Sequence, residues 1–153
     1  MAGDFGTLER GTFPTILFET HSDYLSEPFW VAAKQDVLVC QCCTDCGTFR
    51  MPPSPFCFGC QSRDYSFPVL PGTGTIYSFT VVRHPLHPDL IDACPYVSGV
   101  VELDGTQGAG ARMLVNIIGV DPETVKIGDR VEIVFEHVND EMSTPRFRPL
   151  QAN

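Results

Sequence analysis

The second half of the chain alternates between apolar and polar residues in the way that half-buried β-strands do. The clearest case is residues 130–136, in which Val131, Ile133 and Phe135 occupy every second position and most of the other positions are charged. Because successive side chains of a strand point to opposite faces of a sheet, these three are predicted to face inward. We therefore expect this part of the chain to be a β domain.

Four further segments are rich in β-branched and aromatic residues, which favours strands at residues 75–83, 96–103, 112–118 and 146–150. The last of these is predicted to be an edge-type strand. Gly99, inside the second strand, predicts a bulge or bend of the kind that curls a strand into a barrel. Residues 121–125 begin with a capping acid and predict a helical turn between the third and fourth strands. Five antiparallel strands with this small helix fit an OB-type barrel, so the predicted fold class is mainly β.

A short helix is predicted upstream of the strands. Ser26–Glu27–Pro28 combines a capping hydroxyl, an acid in the first turn and a proline whose missing N–H costs nothing there. Phe29, Trp30 and Ala33 lie on one side of this helix, which is predicted to end near residues 34–36. Because so short a helix is unstable alone, we expect its aromatic side chains to dock.

The chain is predicted to have three parts. Residues 1–36 form an N-terminal arm with the short helix, residues 37–70 a zinc ribbon, and residues 71–153 an OB-fold domain, with Pro-Gly-Thr-Gly marking the last boundary. The arm contains an apolar run, Phe13–Phe18. We expect this run to pack against the protein's own core, with the surface of a partner as the alternative.

Six of the seven cysteines lie between Cys40 and Cys60. They include two C-x2-C pairs, Cys43 with Cys46 and Cys57 with Cys60. Zn²⁺ prefers four such ligands in a tetrahedron, and two short chelating turns supply them. We therefore predict a structural zinc site at Cys43, Cys46, Cys57 and Cys60.

Alternatives remain for the metal and for its ligands. Cys40 and Cys43 also have C-x2-C spacing, but Gly47 directly after Cys46 allows the positive φ that closes a tight metal-binding turn. Cys40 and Cys42 are then expected to be small apolar strand residues, and Cys94 a lone thiol. Iron in a rubredoxin-like site is the main rival to zinc. Disulfides need an oxidising compartment, and residues 1–10 lack the basic and apolar regions of a signal peptide.

Charge and composition narrow the functional classes. The net charge of −9 argues against nucleic acid as the main partner, because binding to phosphates needs a basic face. No apolar run is long enough to span a bilayer. Together with the apparent lack of a targeting segment, this predicts a cytoplasmic protein.

The sequence shows few residues with catalytic potential. It has no glycine-rich phosphate loop, nucleophile elbow or zincin motif. Tyr77 and Phe79 are candidates for a ligand-binding face, although core positions are favoured. His84 and His87 have H-x2-H spacing, but they lack a further ligand nearby and are expected to be exposed loop residues. A four-cysteine site has no open position for a substrate, so we predict no catalytic residue and no self-sufficient enzyme.

The order of these segments resembles one known family, the rubredoxin-like zinc-ribbon plus OB-fold proteins associated with acyl-CoA. The resemblance covers residues 27–150 and is carried by Pro28–Trp30, Val39–Gly47, Pro52–Pro53, Cys57–Cys60, Gly72–Val82, Pro95–Val97, Ile127–Val131 and Pro145–Phe147. The chain departs from the family pattern at Cys42, where a basic residue is commoner, and at Phe58–Gly59, where proline is common. Neither departure removes a predicted zinc ligand.

The resemblance implies a non-catalytic accessory subunit. Members of this family pair with a thiolase-like protein, and the pair cleaves acyl-CoA thioesters by thiolysis or by retro-aldol chemistry, as in steroid side-chain degradation. The chemistry belongs to the partner, while the ribbon and OB domains supply interface and shape the acyl-CoA site. The helix and ribbon would form the docking surface. The alternatives are a free-standing OB-fold module that binds CoA esters or single-stranded nucleic acid, and a rubredoxin-like electron carrier.

Overall fold

The computed structural model describes residues 23–108, 110–140 and 142–150, and these are mostly β-strand. The elements in chain order are helix α1 (Glu27–Ala33) and strands β1 (Gln41–Cys43), β2 (Phe49–Arg50), β3 (Tyr65–Ser66), β4 (Thr73–Val82), β5 (Tyr96–Leu103), β6 (Arg112–Ile117), β7 (Arg130–Asn139) and β8 (Met142–Pro149). A short 3-10 helix, Pro88–Leu90, lies between β4 and β5. The predicted apolar run Phe13–Phe18 falls outside the described residues.

Helix α1 forms where the sequence predicts it, but its N-cap residue does not make the predicted side-chain bond. Ser26 occupies the N-cap position and makes no side-chain capping bond. Asp23 Oδ1 instead accepts hydrogen bonds from the backbone N–H groups of Leu25, at 3.0 Å, and Ser26, at 2.7 Å. Phe29 and Ala33 are buried, as a docked helix requires, and Trp30 packs edge-on against Phe29 with ring centroids 5.1 Å apart.

The cysteine-rich segment folds into a small three-stranded sheet with the strand order β2-β1-β3. Both neighbours of β1 run antiparallel to it, with Gln41 opposite Arg50 and Cys43 opposite Tyr65. The strand predicted over residues 37–42 is therefore shorter and begins later, preceded by a single bridge between Val39 and Val69.

The five predicted C-terminal strands are all present and form a closed barrel with the order β4-β5-β6-β8-β7. Two details differ from the prediction. The last strand is longer than expected and is not an edge, because it also pairs with β6 through Ile117 and Phe147. This pairing is parallel, and it is supported by a 2.7 Å hydrogen bond from Ile118 N–H to the Phe147 carbonyl.

The irregularity of the barrel lies in β4 and not at Gly99. The pairing of β4 with β5 shifts register between Ile76 and Ser78, which identifies a bulge at Tyr77. Gly99 pairs regularly, and a Cβ atom there would lie 2.9 Å from Ile117 Cγ1. Its glycine is therefore explained by close packing across the sheet.

The segment between β6 and β7 forms a turn and not the predicted helical turn. Its capping prediction holds locally, because Asp121 Oδ1 accepts a 3.0 Å hydrogen bond from Glu123 N–H. Thr124 N–H donates to the Asp121 carbonyl at 2.9 Å, and no helix is assigned among residues 118–129.

One hydrophobic core joins the helix, the ribbon and the barrel. Phe29 from α1 and Leu38 and Cys40 beside the ribbon belong to the same buried cluster as Phe147 and Val131 of the barrel. Backbone hydrogen bonds from Leu70 to Leu38 and from Cys40 to Pro68 reinforce the junction. Within the described part of the chain, no helix has the length and apolarity needed to cross a membrane.

Candidate metal centre and adjoining cleft

The first knuckle (Cys43–Gly47) is a tight turn at the end of β1. Cys43 N–H donates to the Thr48 carbonyl at 3.0 Å, and Gly47 N–H returns to the Cys43 carbonyl at 2.9 Å. Gly47 has φ of +72°, the left-handed conformation that glycine adopts without steric cost. This is the conformation that the sequence predicted for it.

The second knuckle (Cys57–Gln61) repeats the same backbone pattern. Cys57 N–H donates to the Ser62 carbonyl and Gln61 N–H to the Cys57 carbonyl, both at 2.8 Å. Gln61 occupies the position equivalent to Gly47 and has φ of +62°. Sequence analysis missed this residue, although its place four residues after Cys57, like that of Gly47 after Cys43, was the available signal.

Replacing Gln61 by glycine should leave the turn intact and relieve its strain. A non-glycine residue in the left-handed region destabilises the folded state by on the order of 1 kcal/mol. Glycine avoids this cost, but it also raises the entropy of the unfolded chain, which lowers stability by a somewhat smaller amount. We expect the Gln61→Gly variant to be as stable as the wild type or up to about 1 kcal/mol more stable in urea unfolding. For the same reason Gly47→Gln should be destabilised by up to about 1 kcal/mol, and a Gly47→Gln variant more stable than the wild type would contradict the argument.

The structure brings the four predicted ligands together. All four Sγ atoms lie within 4.8 Å of one another. The Sγ atoms of Cys43 and Cys60 are 3.6 Å apart, and those of Cys46 and Cys57 are 3.5 Å apart. A tetrahedral Zn²⁺ with bonds of about 2.3 Å holds its sulfur ligands about 3.8 Å apart. The arrangement therefore fits a closed four-cysteine zinc site and supports a structural zinc.

Hydrogen bonds prepare two of these sulfurs to carry negative charge. The backbone N–H of Cys60, followed by that of Gly59, lowers the pKa of Cys57 to about 6. The hydroxyl of Thr48, 3.1 Å from Sγ, lowers the pKa of Cys46. Although the backbone N–H of Ser62 acts in the opposite direction, the neighbouring thiols raise the pKa of Cys60 to about 12. Four thiolates this close together would repel one another. A divalent cation among the four sulfurs would offset that repulsion and allow all four cysteines to ionise.

The remaining cysteines lie outside the cluster. Cys40 is fully buried directly before β1, and burial raises its pKa to about 11, as expected for a small apolar residue. Cys42 and Cys94 are half-buried and do not belong to the four-sulfur group.

The other candidate residues are separated from the metal centre. His84 and His87 are exposed, and His87 Nδ1 accepts a hydrogen bond from Asp89 N–H in its own loop. Phe79 is partly buried against the core. The core position favoured for Tyr77 is wrong, because the bulge turns its ring outward, 50% exposed, with Arg112 Cζ 3.6 Å from the ring centroid.

The segment between the knuckles is held by two buried polar side chains. Gln41 Oε1 accepts a 2.8 Å hydrogen bond from Ser54 N–H, and Arg50 Nη1 donates to the Ser54 carbonyl at 3.1 Å. Residues 51–53 lie between Arg50 and Ser54 and line a cleft beside the barrel. The ribbon thereby contributes a stiff, proline-containing wall to a neighbouring cleft.

This helix–barrel cleft is a partly open space of about 670 Å³ between α1, residues 51–53 and strands β5, β6 and β8. Most of its surface is apolar. Its polar end contains Arg146, which donates to Glu136 Oε2 at 3.0 Å and to Asn116 Oδ1 at 2.8 Å. The sequence could not reveal the cleft, because its walls come from segments far apart in the chain.

Comparisons with known proteins agree with this architecture. Residues 30–66 match the family model described as the ChsH2 rubredoxin-like zinc ribbon domain. Residues 68–136 match the model described as the ChsH2 C-terminal OB-fold domain. The two matches together cover more than half of the chain and follow the order observed in the structure.

Individual relatives give the same picture. A "probable enoyl-CoA hydratase alpha subunit" of Thermomonospora curvata is 40% identical over 122 residues, which is 79% of this chain and 36% of that protein. A "3-oxo-4,17-pregnadiene-20-carboxyl-CoA hydratase alpha subunit" of Mycobacterium tuberculosis is 35% identical over 134 residues, 88% of this chain and 41% of that protein. The chain thus spans well under half the length of these curated relatives. A chain of the solved "Ltp2-ChsH2(DUF35) aldolase" superposes with a TM-score of 0.74 at 36% identity, covering 86% of this chain and 98% of that one.

Proposed function

The chain belongs to the ChsH2 family of zinc-ribbon and OB-fold proteins, also called DUF35, and from this premise we propose that it is a non-catalytic accessory subunit of an enzyme complex acting on acyl-CoA. In this proposal a thiolase-like partner cleaves the acyl-CoA thioester by thiolysis or by a retro-aldol reaction. The chain contributes interface and shapes the acyl-CoA site.

The observation that carries the proposal is the closed four-cysteine centre. Its four protein ligands leave no position for a substrate or water, which is the arrangement of structural and not catalytic zinc. We assign Cys43, Cys46, Cys57 and Cys60 as the zinc ligands. The zinc supplies folding energy to a ribbon too small to be stable by its apolar core alone.

The identity of the complex is supported by the names of the relatives. A similar solved structure is called an aldolase of two named components, and two of the curated relatives are called alpha subunits of CoA-ester hydratases. The pregnadiene carboxyl-CoA of one relative makes steroid side-chain degradation a specific form of the proposal. The proposal also includes a cytoplasmic location. It keeps the division of the chain into an arm (residues 1–36), a zinc ribbon (residues 37–70) and an OB-fold domain (residues 71–153).

We place the partner on the outer faces of α1 and the ribbon. Val31 on α1 and Phe58 in the second knuckle are exposed apolar residues. An apolar surface of this kind is characteristic of an interaction site. Neither residue lies in the core that joins the ribbon to the barrel.

Affinity purification of the tagged chain from native lysate tests this proposal. We expect a thiolase-family protein to co-purify in near-equal amount, identified by mass spectrometry. The Val31→Asp, Phe58→Asp variant should lose that protein, because two charges would be desolvated in the interface.

The matched control is Ile127→Asp, which alters a comparably exposed apolar residue in the turn before β7. It should retain the partner. A folded, zinc-containing monomer without any thiolase-family protein would contradict the proposal and favour the second candidate, a free-standing OB-fold module. The apolar cleft supports binding of CoA esters by such a module, and the net charge of −9 counts against single-stranded nucleic acid.

A further inference from the structure

The walls of the helix–barrel cleft are apolar and come from three separate parts of the fold. Phe29 and Trp30 of α1 form one side, Pro53 the second, and Met113, Leu114 and Val115 of β6 the third. Leu114 is 75% exposed at the rim. A volume of about 670 Å³ lies inside the range of roughly 300–1,000 Å³ that is usual for small-molecule sites.

The polar end of the cleft is electrically balanced. The Arg146 guanidinium is buried and paired with the Glu136 carboxylate, while Asn116 accepts from Arg146 and donates to the Val97 carbonyl at 3.4 Å. A ligand carboxylate in the cleft would therefore lose its hydration and find no unpaired positive charge to replace it. A carbonyl or hydroxyl group carries no such cost and can exchange hydrogen bonds with this network.

The same balance excludes the nucleotide end of CoA. Of the described residues that line the cleft, Arg146 alone is ionised, and its charge is already matched. The phosphates of CoA require several cationic or N–H donors, which these walls do not provide. The cleft is suited to the apolar end of a ligand.

We propose that the helix–barrel cleft binds the apolar part of an acyl group that carries a neutral carbonyl or hydroxyl, with this polar group directed to Arg146 and Asn116. The inference rests on the proposed function and names its substrate class. The buried polar network and the rigid proline wall favour a small molecule over an inserted side chain of a partner protein.

Trp30 offers a direct reading of this site because it is the only tryptophan in the chain and lies in the cleft wall. The probe is N-phenyl-1-naphthylamine, a neutral apolar fluorophore that accepts energy from tryptophan. Titrated into the zinc-loaded full chain, it should give saturable, one-to-one energy transfer from Trp30.

Leu114→Glu should weaken this binding by at least about tenfold, because the ligand would have to desolvate a charge at the rim. The residue is exposed, so the fold should be retained, as circular dichroism and zinc content will verify. Ile127→Glu is the matched control, since Ile127 is 69% exposed and lies outside the cleft. It should change the affinity by less than about twofold. Non-saturable transfer, or an equal loss in both variants, would overturn the proposal.

Displacement of the probe tests the polar part of the inference. At pH 7, 2-nonanone should displace the probe at a concentration at least about tenfold lower than nonanoate does. The carboxylate of nonanoate would be desolvated in the cleft without a free counter-charge, whereas the ketone is neutral and needs none. Equal potency, or stronger displacement by nonanoate, would refute the assignment of a neutral polar group at Arg146.

These measurements use the free chain and do not depend on the partner. Probe binding without a thiolase-family protein in the affinity purification would retain the cleft and refute the accessory-subunit function. Co-purification of such a protein without saturable probe binding would support the accessory-subunit function and refute the ligand site in the cleft.

Discussion

Replacing Cys57 by serine is expected to abolish zinc binding and unfold the ribbon. Cys57 is buried in the four-sulfur cluster, and its Sγ lies 3.5 Å from that of Cys46. Serine is a poor zinc ligand, and structural zinc sites supply about 10–16 kcal/mol of apparent binding free energy, which is also folding free energy. The three strands of the ribbon contain only two or three residues each and cannot replace this contribution.

Zinc content by elemental mass spectrometry and the chemical shifts of the ribbon amides will measure the effect. Cys43→Ser should behave in the same way. Cys40→Ala and Cys94→Ser are the controls, since both residues lie outside the cluster, and both variants should retain one zinc. Retention of full zinc and stability in Cys43→Ser would show that the ligand set is wrong, and loss of zinc in Cys40→Ala would identify the substitute.

Replacing Phe147 by alanine should cost about 3–5 kcal/mol of unfolding free energy, the usual range for a buried aromatic side chain. Phe147 is 0% exposed and lies on the strand that closes the barrel, opposite Ile117 on one side and Ile133 on the other. Its removal leaves a cavity in the core shared by the barrel and the ribbon.

Urea unfolding of the zinc-loaded protein, followed by the fluorescence of Trp30, will give this value. Leu114→Ala is the matched control, because Leu114 lies on the neighbouring strand β6 and is mostly exposed. It should change stability by less than about 0.5 kcal/mol. A loss below about 1 kcal/mol for Phe147→Ala would contradict the closure of the barrel by β8.

Closure of the barrel illustrates what local sequence patterns leave open. The alternation around Val131 predicted β7, and β-branched segments predicted the others, because the period of two is a local property. The parallel contact between Ile117 and Phe147 joins residues far apart in the chain and has no local signature. The strand that makes it contains Pro145, which interrupts the usual strand pattern and hid the start of β8.

Bulges limit such predictions in a second way. The extra residue at Tyr77 shifts the alternation of β4, so that Ile76 is buried and Tyr77 is exposed. A period of two read through this point assigns side chains to the wrong face. Gly99 predicted a bulge or bend in β5, but the bulge lies in β4, the strand that pairs with it.

The metal centre is encoded by local sequence spacing, whereas the cleft depends on segments that are far apart in the chain. Both knuckles are short chelating turns, so the spacing of the cysteines was sufficient to predict the cluster that the structure forms. The cleft needs α1, Pro53 and β6 to meet in space, and its Arg146–Glu136 pair links two strands. The family resemblance, confirmed by both matching domain models, supplied the functional context that neither local pattern contains.

Native mass spectrometry of the tagged protein purified from its own lysate tests the central claim most directly. The account predicts a particle containing this chain, one zinc ion bound to each copy, and a thiolase-family subunit in equal number. A folded chain that carries iron, or that carries zinc but remains a monomer free of any such subunit, would contradict it.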